Sequence, residues 1–489
     1  MDRPNGKVEE SMSNGNLSDT SYKWIVLLIT TVGSFMTPLD GSIVSIALPS
    51  IASNLGINFT TIIWIPTTYL LFLSALLLIF GRLADTKGRR TLFISGFALF
   101  TVASGLCAVS RTGVELIVFR AVQGISAAMI GATSPAIVID VFPHRERGKV
   151  LGINATAVYT GLSVGPTLGG FLVQNLGWRW IFLINIPIGI FVVALSLLKL
   201  KESINSEKME KFDLLGGGTF SIGLITLLLA LTLGPEYGWS SLNITGLFAT
   251  SGIAFFLFVL VEKKMGRNAM FEISLFTHNR LFASANTSAL LNYTSFFGVT
   301  FLMSFYLQRI INLPPAQAGL ILLSMPIVMA AFSPVSGWLS DKFGTRLLSS
   351  AGMVLISLGL FMFSTISVDS TGFDIVARLL LIGLGMGVFS SPNTSAVMGS
   401  VEKDRLSVAA GTLATMRFVG QSMSLAVMGA VASTAVSQQI ISNLILDLPG
   451  LDGTVMASAF VEGIRRAFLV SGFIAAIGVI TSLVRGKGN

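Results

Sequence analysis

Long apolar runs alternate with short polar turns along almost the whole chain. A membrane span takes about 20 apolar residues. Fourteen runs qualify: Trp24–Leu48, Ile62–Phe80, Leu92–Ser110, Gly113–Val141, Val150–Gln174, Trp178–Leu198, Leu214–Leu233, Ile244–Val261, Leu281–Gln308, Ala316–Leu339, Leu347–Val368, Ile375–Met398, Leu406–Val436 and Ala467–Val484. They predict helices, because backbone in hydrocarbon must satisfy its own hydrogen bonds. The thirteenth run continues without charge through Ser437–Asn443. That is too long for one span, so it is ended early and Ser437–Glu462 is predicted as the one long external loop. Residues 1–23 are polar and hold no signal-peptide core, which predicts a disordered tail.

Charge placement orients the runs. With both termini inside, 24 Lys and Arg lie on the cytoplasmic side and only Arg111, Arg179, Arg309, Arg465 and Arg466 lie opposite. Arg120, Arg378 and Arg417 fall within runs and complete the 32. This bias fits an even number of spans with both ends cytoplasmic. Only 11% of residues are charged, about half the usual share, and 52% are hydrophobic. The mean hydropathy is +0.79. These values predict an all-α integral membrane protein in contact with the lipid bilayer. The net charge of +8 forms no patch, which excludes a nucleic-acid partner. The single cysteine, Cys107, lies in an apolar run and reads as a small buried hydrophobe.

One loop is written twice. Gly81–Arg90 reads GRLADTKGRR, and Gly337–Arg346, 256 residues later, reads GWLSDKFGTR. Glycine, aspartate, glycine and a base recur at equal spacing after the second and tenth runs, which implies a duplicated bundle. Duplication places Leu214–Leu233 and Ile244–Val261 between the halves. The layout is six, two, six: residues 24–200 form the first bundle, 201–280 the linker with two extra helices, and 281–489 the second bundle. The loop resembles G-x-L-a-D-r-x-G-r-r, found between the second and third helices of the major facilitator superfamily. Fourteen spans resemble its drug:proton antiporters of the EmrB/QacA type.

Asp40 is the only acid well inside a run, where a charge costs at least about 2.5–3.5 kcal/mol. Such a group is kept where it faces a cavity or changes protonation; the plain alternative is an aspartate satisfied by a neighbouring base. Its surroundings, PLDGSIVSIALP, resemble the first-helix signature L-D-x-T-I-V-N-V-A-L-P of those antiporters, with Ser42 and Ser45 in place of threonine and asparagine. Arg120 opens RAVQG, which resembles the family's R-x-x-Q-G, linked there to proton transfer. At 1.5 Å per residue, Asp40 and Arg120 both lie roughly 10–12 Å from the outer ends of their runs, so they are expected to pair. Arginine stays charged and modulates the acid without carrying the proton.

The segment GLSVGPTLGG, with Gly161, Gly165, Pro166, Gly169 and Gly170, allows close helix approach and a kink. It resembles the antiporter motif G-x-x-x-G-P-x-x-G-G, and that resemblance implies export. Its G-x-S-x-G is a chance match to a hydrolase elbow, since His144 and His278 fall in loops. In the family, the acid of the repeated loop packs against the start of the fifth helix of the second half, here near Leu406. Gly81, Asp85, Gly88, Arg89 and Asp341 are therefore expected to act in gating. The family's cavity is lined by helices equivalent to runs 1, 4, 9 and 12, with 2, 5, 10 and 13 adding walls. Mid-depth candidates are Gln123, Tyr159, Asn292, Tyr293, Phe296, Phe297 and Gln421, with Met36, Met386 and Phe389 as an adaptable apolar surface. Arg417 either snorkels or lines the cavity.

The expected protein is a monomeric plasma-membrane exporter driven by the proton gradient, without cofactor, metal or enzymatic activity. Its expected cargo is a lipophilic cation attracted by Asp40. A same-fold exporter of a narrower cargo, such as a lipid, siderophore or metabolite, is the alternative.

Overall fold

Helix boundaries follow from local chemistry. Asn58, Thr112, Asn279 and Thr371 each stand before a helix and accept a hydrogen bond from the backbone N–H three residues on. This satisfies one of the donors that every helix start leaves free. Gly88 and Gly344, the second glycines of the repeated loop, have φ of 98° and 83°, a region side chains disfavour. They let one helix stop and the next begin within a single residue.

The computed structural model describes residues 6–143, 146–202, 213–266, 269, 271–402, 405–435 and 453–485. Its long helices are α1 Gly6–Leu55, α2 Phe59–Lys87, α3 Arg89–Val109, α4 Gly113–Val141 and α5 Arg147–Leu176. Next come α6 Trp180–Lys199, broken once near Ile184, and α7 Leu214–Tyr237. They continue with α8 Leu242–Met265, α9 Arg280–Ile310, which ends in a π turn, and α10 Pro315–Phe343. The last are α11 Thr345–Phe363, α12 Gly372–Gly399, α13 Leu406–Ala435 and α14 Gly453–Leu483. Among the described residues, twelve helices are long and apolar enough to cross a membrane. The other two, α5 and α13, are 30-residue helices in the seams between bundles. A seam helix carries glycine and hydroxyl groups where a lipid-facing one carries leucine.

Two boundaries differ from the sequence expectation. The segment expected as a disordered tail continues the helix of the first span from Gly6, and the membrane-length part is Tyr22–Leu55. Once a helix is nucleated, each further residue adds at little cost. At the other end, α14 starts at Gly453, so residues 453–462 are helical and not loop. Met456, Phe460, Val461 and Ile464 are buried at helical spacing, and Phe460 meets Phe59 edge-on at 6.3 Å. The exposed pair Arg465 and Arg466 hides this apolar face in the sequence. The rest of the expected loop, 437–452, lies outside the described residues.

The duplication is visible in the packing. In the first bundle α1 packs on α5, α2 on α4, and α3 on α4 and α6; in the second, α9 packs on α13, α10 on α12, and α11 on α12 and α14. The bundles meet along two seams, α2 with α13 and α5 with α10. Helices α7 and α8 pack as a pair, and α7 lies over the first seam. There Phe220, Leu224 and Leu228 join Leu71 and Ala75 of α2 and Val419 and Ala426 of α13.

Helix α5 serves both sides of its position. A Cβ on Gly169 would strike Ile43 and Ile46 of α1, and one on Gly170 would strike the backbone of Pro315 and Ala316 in α10. At this distal end, opposite the termini, further bonds join the bundles. Gln308 donates to Ile46 O at 2.9 Å, Arg309 to Pro49 O at 3.4 Å, and Ala316 N to Gln174 Oε1 at 3.2 Å. The π turn at Tyr306–Ile310 supplies the first two donors.

The glycine seam makes a direct prediction. Gly170→Leu will wedge α5 from α10 and open the distal end, with each bundle intact. Cysteines placed at Gln174 and Ala316, with Cys107→Ser, will react with a short bifunctional thiol reagent. Adding Gly170→Leu will cut that cross-linking several-fold without loss of monodispersity in detergent. Unchanged cross-linking would mean that the distal contact does not depend on this approach.

Candidate functional site

Helix α1 places Asp40 among α2, α4 and α6, with 0% of its surface exposed. Arg120 of α4 is equally buried, and its Nη1 donates to Asp40 Oδ2. The other carboxylate oxygen accepts from Asn185 Nδ2 at 2.9 Å and from Gln123 Nε2 at 3.4 Å. Gln123 is held in turn, since its Oε1 accepts from Arg120 Nη1 at 2.8 Å and its Nε2 donates to Ser104 Oγ at 2.8 Å. Arg120 also donates from Nε to Ile65 O at 3.3 Å and lies 4.2 Å from the ring of Tyr69. The Tyr69 hydroxyl closes the cluster by donating to Thr37 O at 2.9 Å. Arg120 Nη2 alone has no acceptor.

The expected pair is therefore formed, in the interior of the first bundle and away from the space between bundles. Gln123, predicted as cavity lining, belongs to this cluster. Asn185, Ser104 and Tyr69 were not singled out in the sequence. Asn185, an amide inside the sixth apolar run, was the available signal.

A second polar cluster lies between the bundles. The hydroxyls of Tyr159 on α5 and Ser390 on α12 are 2.6 Å apart. Tyr293 of α9 faces α13 one turn past Arg417, where a Cβ on Gly420 would lie 2.8 Å from its own, and Arg417, Ser390 and Tyr159 are its polar neighbours. Two predicted cavity residues, Tyr159 and Tyr293, thus come together. Phe296 joins them, its ring centroid 5.6 Å from that of Tyr293. Asn292 donates to Met353 Sδ at 3.2 Å inside the second bundle. Met36, Met386 and Phe389 are almost wholly buried in the apolar core, Phe296 and Gln421 are buried, and Phe297 is half-buried. A crevice of about 410 Å³ opens between α1 and α5, lined by Phe35, Thr31, Thr156, Thr160 and aliphatic neighbours, with no charged residue.

The two copies of the repeated loop are unequal. Arg89 donates from Nη2 to Asp85 at 2.8 Å, from Nη1 to Ala136 O at 3.2 Å, and also to Asp140. Glu202 adds a cap that sequence reading missed, accepting from Arg90 N at 3.1 Å and Thr91 Oγ1 at 2.7 Å. This joins the end of the first bundle to the start of α3 and favours the dipole there. Gly81 has nothing near its Cβ position, whereas a Cβ on Gly337 would meet Ser391. Asp341 is exposed, and beside it Lys342 lies 3.9 Å from the Trp338 ring.

At the terminal end of the second bundle Arg485 is buried, donating to Ser349 Oγ at 2.9 Å and to Asn393 Oδ1. Burial lowers its pKa to about 10, so it remains charged at neutral pH.

The comparisons match this geometry. A family model described as Major Facilitator Superfamily matches residues 30–425 and 285–487. The chain is 36% identical over 395 residues to the Riboflavin transporter RibZ of Clostridioides difficile (strain 630), covering 81% of this chain and 85% of that protein. It is 31% identical over 442 residues to the Multidrug transporter protein MdtP of Bacillus subtilis (strain 168), covering 90% and 81%. Its fold resembles a bacterial homolog of the human lysosomal transporter Spinster in an inward-facing, unoccupied conformation, with a TM-score of 0.69 at 15% identity over 95% and 97% of the two chains. Duplicated helical bundles, two seams between them, and these matches make one conclusion: the chain belongs to the major facilitator superfamily, and it is a multi-pass membrane transporter and not an enzyme.

Proposed function

We propose that this chain exports a lipophilic small molecule in exchange for protons by alternating access. In this reading fourteen helices span the plasma membrane, both termini are cytoplasmic, and the distal end faces outward. Helices α5 and α13 count as spans because they pack along their lengths against helices that qualify on apolarity alone. The Lys and Arg bias sets the orientation.

The observation that carries the reading is Asp40 with Arg120. The carboxylate is buried, bonded at both oxygens, and faced by one cation. Protonating it removes the counter-charge of a buried guanidinium. Losing one partner of such a pair costs about 3–5 kcal/mol, enough to drive rearrangement. The strain has a path to the seam. Asp40 lies six residues, roughly 9 Å, before Ile46, whose carbonyl accepts from Gln308 of the other bundle. One turn on, Pro49 O accepts from Arg309. Helix α1 thus links the proton site directly to the distal closure, and Ser42 links it sideways by donating to Gly161 O of α5 at 3.3 Å. Arg120 holds the site in shape, and Asp40 takes and releases the proton.

The expected attraction of cations depended on Asp40 facing the cargo. With Asp40 sealed inside one bundle, the acid serves coupling, and other groups meet the charge of the cargo. A narrower cargo is a second reading, favoured by the 36% identity to a protein named a riboflavin transporter.

The test uses protein in liposomes loaded with a pH-sensitive dye under an imposed proton gradient. Ethidium, riboflavin and the anion 8-anilinonaphthalene-1-sulfonate serve as probes, a response to any one of them counting as coupled transport. Wild type is expected to move protons when a probe is added, and Asp40→Asn, which keeps the shape without a titrating group, to move none. Coupled transport that survives in Asp40→Asn sinks the assignment. A response to riboflavin alone selects the narrow-cargo reading.

Arg120→Lys tests the geometry separately. Lysine cannot bond Asp40, Gln123 and Ile65 O at once. Coupled transport is expected to fall at least about tenfold, equivalent to about 1.4 kcal/mol, with elution volume and helicity unchanged. Wild-type rates in that variant would show that only charge matters at this position.

A further inference from the structure

We infer that the cargo carries an anionic group, and that Arg417 receives it between the two bundles. This rests on the reading of the chain as a transporter that binds cargo there, and it names the chemistry of that site.

Arg417 lies eleven residues past Leu406, roughly 16 Å into α13. It is half-buried, and no carboxylate pairs with it among the described residues. A charge at this depth is costly, and where such a residue is kept it has a partner or lines a pathway. The other deep cation, Arg120, has Asp40. The guanidinium lies 4.7 Å from the Phe418 ring, and Arg417 stands one turn before Gly420, where an added Cβ would lie 2.8 Å from Tyr293 Cβ, thirteen residues into α9 and well away from the helix ends; snorkelling does not explain that placement.

The neighbours fit an anion. Tyr293, Tyr159 and Ser390 bring hydroxyls to this region from α9, α5 and α12, those of Tyr159 and Ser390 2.6 Å apart, and Arg417 is among their charged neighbours. Each O–H donates to an anionic oxygen as readily as to a neighbour. The planar fork of arginine matches a carboxylate, sulfonate or phosphate with two parallel bonds. Tyr159 comes from the first bundle and the other members from the second, so an anion held here touches both moving parts. Among the described residues no acid competes for it: Asp40 is sealed inside the first bundle, and the crevice beside α5 holds no charged residue. A lone guanidinium there disfavours the lipophilic cations that a cavity-facing aspartate would have drawn.

The cargo class that follows is an amphiphilic organic anion with an aromatic or aliphatic body. A lipid headgroup phosphate has the same chemistry, so the test separates the two sources.

The test is equilibrium binding to purified protein in a neutral detergent at fixed pH, without a gradient. Carboxyfluorescein and rhodamine 123 share a xanthene body and differ in charge. Wild type is expected to bind carboxyfluorescein at least tenfold more tightly than rhodamine 123. Arg417→Gln is expected to lose at least tenfold in affinity for the anion, and Arg417→Lys to recover part of it. Arg417→Glu will reverse the preference. Displacement of the dye by phosphatidylglycerol but not by free phosphate identifies a lipid anion as occupant; displacement by neither identifies a soluble amphiphile, and both agree with the proposal. Absence of saturable anion binding, a preference of wild type for rhodamine 123, or unchanged anion affinity in Arg417→Gln overturns it. Because no gradient is present, the outcome is independent of proton coupling. Anion binding through Arg417 with no coupled transport would sink the antiport reading and leave this one standing, and proton-coupled transport of rhodamine 123 alone would do the reverse.

Discussion

A carboxylate and a guanidinium withdrawn from water each lose several kcal/mol of solvation, and only close pairing with further hydrogen bonds returns it. Asp40 and Arg120 meet that condition with five supporting groups: Asn185, Gln123, Ser104, Tyr69 and the Ile65 carbonyl. These come from α6, α4, α3 and α2, so one ionic contact fixes the relative depth of most of the first bundle. The second bundle has the same helix pairings but no corresponding acid–base pair among its described residues. Duplication has preserved the packing and left the ionic chemistry to one copy.

Much of this arrangement was legible in the sequence, for a simple reason. In lipid, a span must be long and apolar, so length alone marks the helices. The recurrence of Gly81, Asp85 and Gly88 at Gly337, Asp341 and Gly344 fixed the order of the two bundles and the place of the inserted pair. Depth was legible too. Counting residues from helix ends brought Asp40 and Arg120 to one level, where they are found bonded.

Rotation about each helix axis was not legible. In a soluble helix the polar face points outward and tells which way a residue turns. A membrane helix is apolar on nearly every side, so that cue is missing. Gln123, Met36, Met386 and Phe389 were expected to line the cavity; Gln123 turns toward Asp40, and the other three are buried among apolar residues. Asn185 was passed over for the same reason. The start of α14 was obscured differently: Arg465 and Arg466 look like a loop, yet they occupy the surface of a helix whose other face carries Phe460 and Ile464.

Helix α7 covers the α2–α13 seam with Phe220, Leu224 and Leu228, while no additional helix covers the α5–α10 seam among the described residues. The two flanks of the molecule therefore differ in what a lipid tail can reach. On one side acyl chains meet the outer faces of α7 and α8, with Ile222, Ile253 and Phe256 exposed. On the other they meet α5 and α10 directly, with Phe171, Ile327, Phe332 and Val335 turned outward. A hydrophobic solute dissolved in the leaflet therefore meets two unlike flanks, an asymmetry in the plane of the membrane that the duplicated architecture alone does not give the protein.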